Sequence, residues 1–159
     1  MFKKILVPLD GSELAAKVLP EVVELAKTFK AEVTLIHACY TPMVGEATPG
    51  VIKAAEPAEH KWCATFLGQA AKGLQDQGVD VKTVCADGVP AREIIYYADK
   101  NNMDLIAMAT HGKGEVAWVL GSTAEKVVSH ATVPVLLFRV IEIKPPLLKE
   151  IYSTTPGVG

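Results

Sequence analysis

Two patterns of apolar and polar residues alternate along the chain, one typical of strands and one typical of helices. Five short segments have the apolar or alternating character of buried strands, and the segments between them place apolar residues at helical spacing. The strand-like segments are residues 5–9, 33–38, 79–85, 105–109 and 133–138. This alternation predicts an α/β fold.

The helical segments carry recognisable start and stop signals. The first covers residues 14–29 and contains Pro20, which we expect to kink the helix rather than end it, because the apolar period continues on both sides. Further helices are predicted over residues 57–77, after Pro90, and from about 122 to 130. Residues 43–56 have no clear period and are predicted to form a mobile loop.

Five strands joined by four helices predict one open parallel sheet with helices on both faces. With a strand order of 3-2-1-4-5, the order reverses between the first and fourth strands, and ligands bind at such points. The third strand is expected near a sheet edge, and the fifth is expected to start late or lie at an edge, because Pro134 cannot donate to a ladder. Residues 1–140 are predicted to be one domain, and residues 141–159 an extension with a disordered end.

Composition narrows the class of protein. Half of the 159 residues are hydrophobic, which suits one domain with a sizeable core. A net charge of −2, from 16 basic and 18 acidic residues, does not indicate the basic surface that nucleic-acid binding requires. The apolar segment near the N-terminus is too short for a signal peptide or a membrane span. A cytoplasmic protein without a membrane or nucleic-acid partner is predicted.

The cysteines and histidines show no ligand spacing. Cys39, Cys63 and Cys85 are an odd number without a CxxC motif, which argues against a disulfide framework and a zinc site. We expect them to be small buried hydrophobes. His37, on a strand, is expected to be a hydrogen-bonded core residue, and His60 and His130 have no partner at ligand spacing.

Candidate chemistry is concentrated between Asp104 and Thr123. An apolar strand runs into a glycine-punctuated loop, and Gly121 and Ser122 stand where the next helix begins. The first N–H groups of a helix lack partners and favour negative charge, so the segment is suited to phosphate. The N–H groups of Gly121 and Ser122 are expected to be free, and Asp10 is expected to face this loop across the crevice.

Three stretches resemble the universal stress protein family: residues 5–12, residues 88–91, and the segment from Thr110 to residue 136. The resemblance covers residues 3–139. It implies an adenine nucleotide alpha-hydrolase-like fold, a homodimer through the fifth strand and, in one branch, a site for ATP or AMP marked by G-x2-G-x9-G-[S/T]. Gly112, Gly121 and Ser122 match this motif. Ala109 replaces its first glycine, and eight residues rather than nine separate Gly112 from Gly121.

The resemblance also implies which residues would bind the nucleotide. Residues 8–10 would line its adenine and ribose end, Ala38 would touch the base, and the two glycine-containing segments would surround ribose and phosphates. The full set is Pro8, Leu9, Asp10, Ala38, Met108, Ala109, Thr110, His111, Gly112, Lys113, Gly121, Ser122 and Thr123. The predicted cofactor is ATP or AMP, with or without Mg²⁺.

Each role has a simpler alternative. Asp10 could cap the helix that starts near Ser12, His111 could only fasten its loop, and Ser122 could be a plain N-cap. Residues 112–117 fit the dinucleotide pattern G-x-G-x-x-[G/A], but they follow the fourth strand rather than the first.

No P-loop, paired carboxylates or Ser-His-Asp elbow stands out, so at most slow ATP hydrolysis is expected. The predicted function is a stress-response protein that binds an adenine nucleotide as a dimeric sensor or regulatory module. A nucleotide-free dimeric interaction protein and a slow ATPase or self-phosphorylating protein are the alternatives.

Overall fold

The computed structural model describes residues 1–39, 49–112 and 119–141, with the backbone alone for residues 49–57. Five parallel strands form one sheet in the predicted order, β3-β2-β1-β4-β5. The strands are β1 Lys4–Pro8, β2 Glu32–Cys39, β3 Asp80–Asp87, β4 Leu105–Ala109 and β5 Val135–Phe138. The helices are α1 Glu13–Ala16, α2 Leu19–Phe29, α3 Pro49–Gln75, α4 Pro90–Lys100 and α5 Ser122–His130.

Two apolar cores cover the two faces of the sheet. One packs α1, α2 and α3 against the strands, and the other packs α4 and α5 against the opposite face. β4 is buried along its whole length because helices cover it on both sides. The predicted edges are confirmed, since β3 lies at one edge of the sheet and β5, which begins directly after Pro134, lies at the other.

The register brings the carboxyl ends of the central strands into step. Pro8 at the end of β1 is paired with Ile36 of β2, and the Leu9 N–H donates to the Ile36 carbonyl at 2.9 Å. On the other side of β1, Ile5 is paired with Leu105. The carboxyl ends of β1, β2 and β4 therefore lie side by side.

Pro20 does not kink a single helix, so that prediction was wrong. α1 ends at Ala16, and α2 begins at Leu19 with Pro20 in its first turn. Proline is tolerated there because the first helical N–H groups have no intrahelical partner. The apolar period persists across the break because both helices bury residues in the same core.

The predicted loop at residues 43–56 is also corrected. α3 starts at Pro49, so residues 49–56 are helical, and residues 43–48 lie outside the described residues. Pro49 suits the first helical position, which explains how a proline that suggested a loop instead begins a helix. The predicted disordered end of the extension also lies outside the described residues and stays a prediction.

The cysteines differ from expectation in one respect. Cys63 of α3 and Cys85 of β3 form a disulfide, with 6.2 Å between their Cα atoms, whereas Cys39 is a buried free thiol as expected. The disulfide left no motif in the sequence because it arises where α3 packs across β3, with a separation of 22 residues. Among the described helices, none is both long and apolar enough to cross a bilayer.

Asp104 links the start of β4 to the start of β1 through two hydrogen bonds. Its Oδ2 atom accepts from the N–H groups of Lys3 at 2.8 Å and Lys4 at 2.9 Å. Asp104→Ala should lower the free energy of unfolding by about 1–3 kcal/mol in urea titrations, because two strand-end N–H groups lose a charged acceptor. Asp76→Ala is the control, since Asp76 forms only an exposed ion pair with Lys72, worth about 0.5 kcal/mol, among the described residues. Equal losses in the two variants would contradict this role.

Candidate functional site

An open cleft lies at the carboxyl ends of β1, β2 and β4, where the strand order reverses. It comprises about 620 Å³ of space, which includes open solvent at its mouth. Its walls come from the turn after β1, the end of β2, the start of α4, the chain after β4 and the start of α5. The cleft thus occupies the crevice that the strand order predicts.

Most of the residues predicted from the sequence lie together here. Eleven of the thirteen line the cleft: Pro8, Leu9, Asp10, Ala38, Met108, Ala109, Thr110, His111, Gly112, Gly121 and Thr123. Ser122 is the first residue of α5 but is not among the lining residues, and Lys113 lies outside the described residues. Their role toward a ligand stays a prediction.

Six further lining residues were missed: Ala15, Ile36, His37, Pro90, Ile94 and Ala124. Most are apolar residues whose periodicity indicated only core packing. The pairing of Ile36 with Pro8 in the sheet register is the signal that places it at the cleft, but the register could not be read from a single sequence. His37 was expected to be in the core, and it is both buried and at the cleft wall.

Two sequence-distant turns touch at the centre of the cleft. A Cβ atom at Gly112 would overlap the carboxylate of Asp10, so only glycine lets these two segments approach so closely. Asp10 Oδ1 also accepts from the Ser12 N–H at 2.8 Å. Asp10 therefore fastens the turn before α1, while the helix cap is Ser12, whose hydroxyl accepts from the Ala15 N–H at 3.1 Å.

His111 fastens its loop, which is the simpler alternative considered for it. Its Nε2 lies 2.6 Å from the Val119 carbonyl oxygen, and its Nδ1 lies 2.8 Å from the Thr110 hydroxyl. A carbonyl only accepts, so Nε2 carries the proton and Nδ1 accepts from the hydroxyl in the neutral ring. The imidazole is 3% exposed and bridges the two ends of the loop after β4.

The start of α5 differs from expectation in one hydrogen bond. The Gly121 N–H donates to the Thr110 carbonyl at 2.9 Å, so it is not free for phosphate as predicted. Gly121 is the N-cap and Ser122 the first helical residue, which also rules out the plain N-cap role for Ser122. Thr123 and Ala124 still line the cleft, so the electropositive end of α5 faces it.

The chemical character of the cleft follows from these contacts. Most lining side chains are apolar, and Asp10 is the only carboxylate among the described lining residues. The N-terminus of α5 adds a region that favours negative charge. Such a cleft suits a ligand with a flat apolar part, hydroxyl groups and an anionic group.

Comparison with known proteins yields a family match. Residues 1–139 match the model of the universal stress protein family. A universal stress protein of Methanocaldococcus jannaschii is 35% identical over 141 residues, which cover 87% of this chain and 83% of the relative.

Solved structures share the fold. The universal stress protein UspA of Lactobacillus plantarum superposes with a TM-score of 0.76 at 27% identity, covering 87% of this chain and 98% of that one. A universal stress protein family member of Arabidopsis thaliana, solved with AMP bound, superposes with a TM-score of 0.64 at 16% identity, covering 86% and 91% of the two chains.

The His111 contacts generate a second prediction. His111→Ala should lower the melting temperature by about 4–10 °C, because it removes two hydrogen bonds and leaves the Val119 carbonyl without this partner. His130→Ala is the matched control, since His130 is exposed and its Nδ1 lies 3.0 Å from the Lys126 carbonyl oxygen, one turn before it. Differential scanning calorimetry showing the same small shift for both variants would argue against a structural role for His111.

Proposed function

The chain belongs to the universal stress protein family, and we propose that it binds an adenine nucleotide, ATP or AMP, in the cleft between β1 and β4. We further propose that it acts as a dimeric sensor or regulatory module. One observation carries the proposal: Asp10, the Gly112 backbone and the N-terminus of α5 meet in a single cleft.

The lining residues divide into regions that suit the parts of a nucleotide. Ile36, Ala38 and Met108 offer apolar contacts for a base. The Asp10 carboxylate is an acceptor for ribose hydroxyls, in addition to its bond with Ser12. The N-terminus of α5, with the Thr123 hydroxyl beside it, suits the phosphates.

Mg²⁺ fits this cleft only as a companion of the phosphates. A protein site for Mg²⁺ is usually built from one or two carboxylates together with phosphate oxygens and waters. Among the described lining residues, Asp10 alone supplies a carboxylate. Because Asp10 faces the ribose end, it would hold the ion indirectly, for example through a water. We therefore expect binding without rapid hydrolysis, because hydrolysis needs a positioned water and a metal held by protein oxygens.

Ala109, which replaces the first glycine of the nucleotide-binding motif, is compatible with this proposal. Its side chain is 7% exposed and packs in the core on the side of α1, α2 and α3. Its methyl group is thus largely taken up by core contacts. The Arabidopsis relative supports only the shared fold. The proposal that this chain binds a nucleotide rests on its own cleft residues. The cytoplasmic location stays a prediction.

The contact between Asp10 and Gly112 yields the third prediction. Gly112→Ala should weaken binding of ATP and AMP at least about tenfold, because the added methyl group pushes apart the two turns that form the cleft. Isothermal titration calorimetry measures the change. Gly73→Ala is the matched control, since a Cβ atom there meets nothing within 4 Å and alanine favours the helix.

Two results would count against the site. Unchanged affinity in Gly112→Ala would show that the nucleotide does not use this contact. An equal loss in Gly73→Ala would show that the effect is not local to the cleft.

The edge position of β5 supports the proposed homodimer. Pro134 and Phe138 accept from the N–H groups of Ile106 and Thr110, so alternate residues of β5 bond to β4. Val135 and Leu137 therefore direct their backbone groups to the other side, where no described strand pairs with them. A second copy related by a two-fold axis would cover this edge.

The fourth prediction tests this dimer by light scattering. The wild-type chain should have about twice the 17.0 kDa monomer mass at micromolar concentration. Leu137→Pro should shift it to the monomer, because proline removes an outward N–H without touching the β4 ladder. Leu137→Ala is the control for the lost side chain and should remain dimeric. A wild-type mass of one chain would contradict the proposal.

A further inference from the structure

All three cysteines of the chain meet on the face of the sheet that α3 covers. Cys39 ends β2, Cys85 lies in β3, and Cys63 lies on α3. Their sulfur atoms all lie within 4.8 Å of one another. Nothing in the nucleotide proposal uses this cluster.

The Cys39 sulfur is also surrounded by nitrogen and oxygen atoms that can bind metals. It forms one group within 4.8 Å with His37 and Glu59, and another with His60 and Asp87. Together with the two other cysteines, six side chains therefore present ligand atoms around one sulfur. Thiolate sulfur combined with imidazole nitrogen is the donor set that Zn²⁺ prefers.

His37 shows which nitrogen is prepared for a metal. Its Nδ1 lies 2.8 Å from the Leu9 carbonyl, which only accepts, so Nδ1 carries the proton and Nε2 presents a lone pair. His37 is 8% exposed, and Nε2 is buried without a hydrogen-bond partner. The Glu59 carboxylate lies 3.7 Å from Nε2, too far for a hydrogen bond. Metal-bound histidines typically donate their other N–H to such a carbonyl.

We propose that, once the Cys63–Cys85 disulfide is reduced, the chain binds one Zn²⁺ ion through its three cysteine sulfurs and His37 Nε2. A tetrahedral ion with Zn–S bonds of about 2.3 Å places its sulfur ligands about 3.8 Å apart. The three sulfurs already lie within 4.8 Å of one another, and His37 has a ligand atom within 4.8 Å of the Cys39 sulfur. His60 is less suited as the fourth ligand, because its Nε2 is held by Asp87 at 2.7 Å.

The surrounding charge favours a cation. Burial raises the pKa of the Cys39 thiol, and the carboxylates of Glu59 and Asp87 raise it further. The same two carboxylates attract a divalent ion. Trp62 and Phe66 stack on each other, and both rings meet that of His37 edge to face, which shields the imidazole from water.

The disulfide and the zinc site exclude each other. Coordination needs thiolates, and the two sulfurs of a disulfide carry no such charge. A dithiol reductant transfers two electrons and two protons to Cys63 and Cys85, and is itself oxidised to a disulfide. Zn²⁺ then displaces the three thiol protons, which pass to solvent.

The first test compares the two redox states of the unsubstituted chain. Zn²⁺ is titrated anaerobically, in competition with a chromophoric chelator, into protein reduced with a phosphine and into oxidised protein. We expect one ion per reduced chain and binding at least about 100-fold weaker in the oxidised chain. No binding to the reduced chain at micromolar Zn²⁺, or equal affinity in the two states, would overturn the proposal.

The second test identifies the ligands. X-ray absorption of the zinc complex should show three sulfur neighbours at about 2.3 Å and one nitrogen at about 2.0 Å. Cys39→Ser and His37→Gln should each weaken binding about tenfold or more, whereas the matched control His60→Gln should change it less than about twofold. Retained affinity in Cys39→Ser, or a loss in His60→Gln in place of His37→Gln, would refute the assigned ligand set.

Discussion

The common direction of the five strands is the constraint on which the rest of the structure depends. Because every neighbouring pair in the sheet is parallel, each strand delivers its carboxyl end to the same edge. Helices must then return the chain across both faces, which buries the centre of the sheet and leaves that edge open. Polar and titratable side chains are found at this edge because apolar packing occupies the rest of the sheet.

Two clusters lie at this edge, and His37 belongs to both. It lines the cleft proposed to bind a nucleotide, and its Nδ1 donates to the carbonyl of Leu9, another cleft residue. On the side of α3, its Nε2 faces the Cys39 group. The proposed zinc ligand is therefore one hydrogen bond from the proposed nucleotide site, so that metal binding and nucleotide binding would act on the same imidazole.

The sequence was most informative where local pattern and fold agree. β4 was predicted with its observed bounds, the strand order was predicted correctly, and the loop role given as the simpler alternative for His111 is observed. The failures have two causes, a local proline signal that fits two structures and contacts that depend on long-range geometry. Pro20 gives the same local signal whether it kinks a helix or begins one. The Cys63–Cys85 disulfide and the use of the Gly121 N–H by Thr110 exist only once distant segments pack.

The most direct test of the proposed nucleotide site is to titrate the ¹⁵N-labelled chain with AMP and to follow its amide chemical shifts. A site at the strand ends predicts saturable shifts concentrated at the amides that line the cleft, among them Leu9, Asp10, Thr110, Gly112 and Gly121. Amides in the middle of α2, such as Val22 and Ala26, should not move. Shifts concentrated away from the cleft, or none at millimolar AMP, would contradict the account.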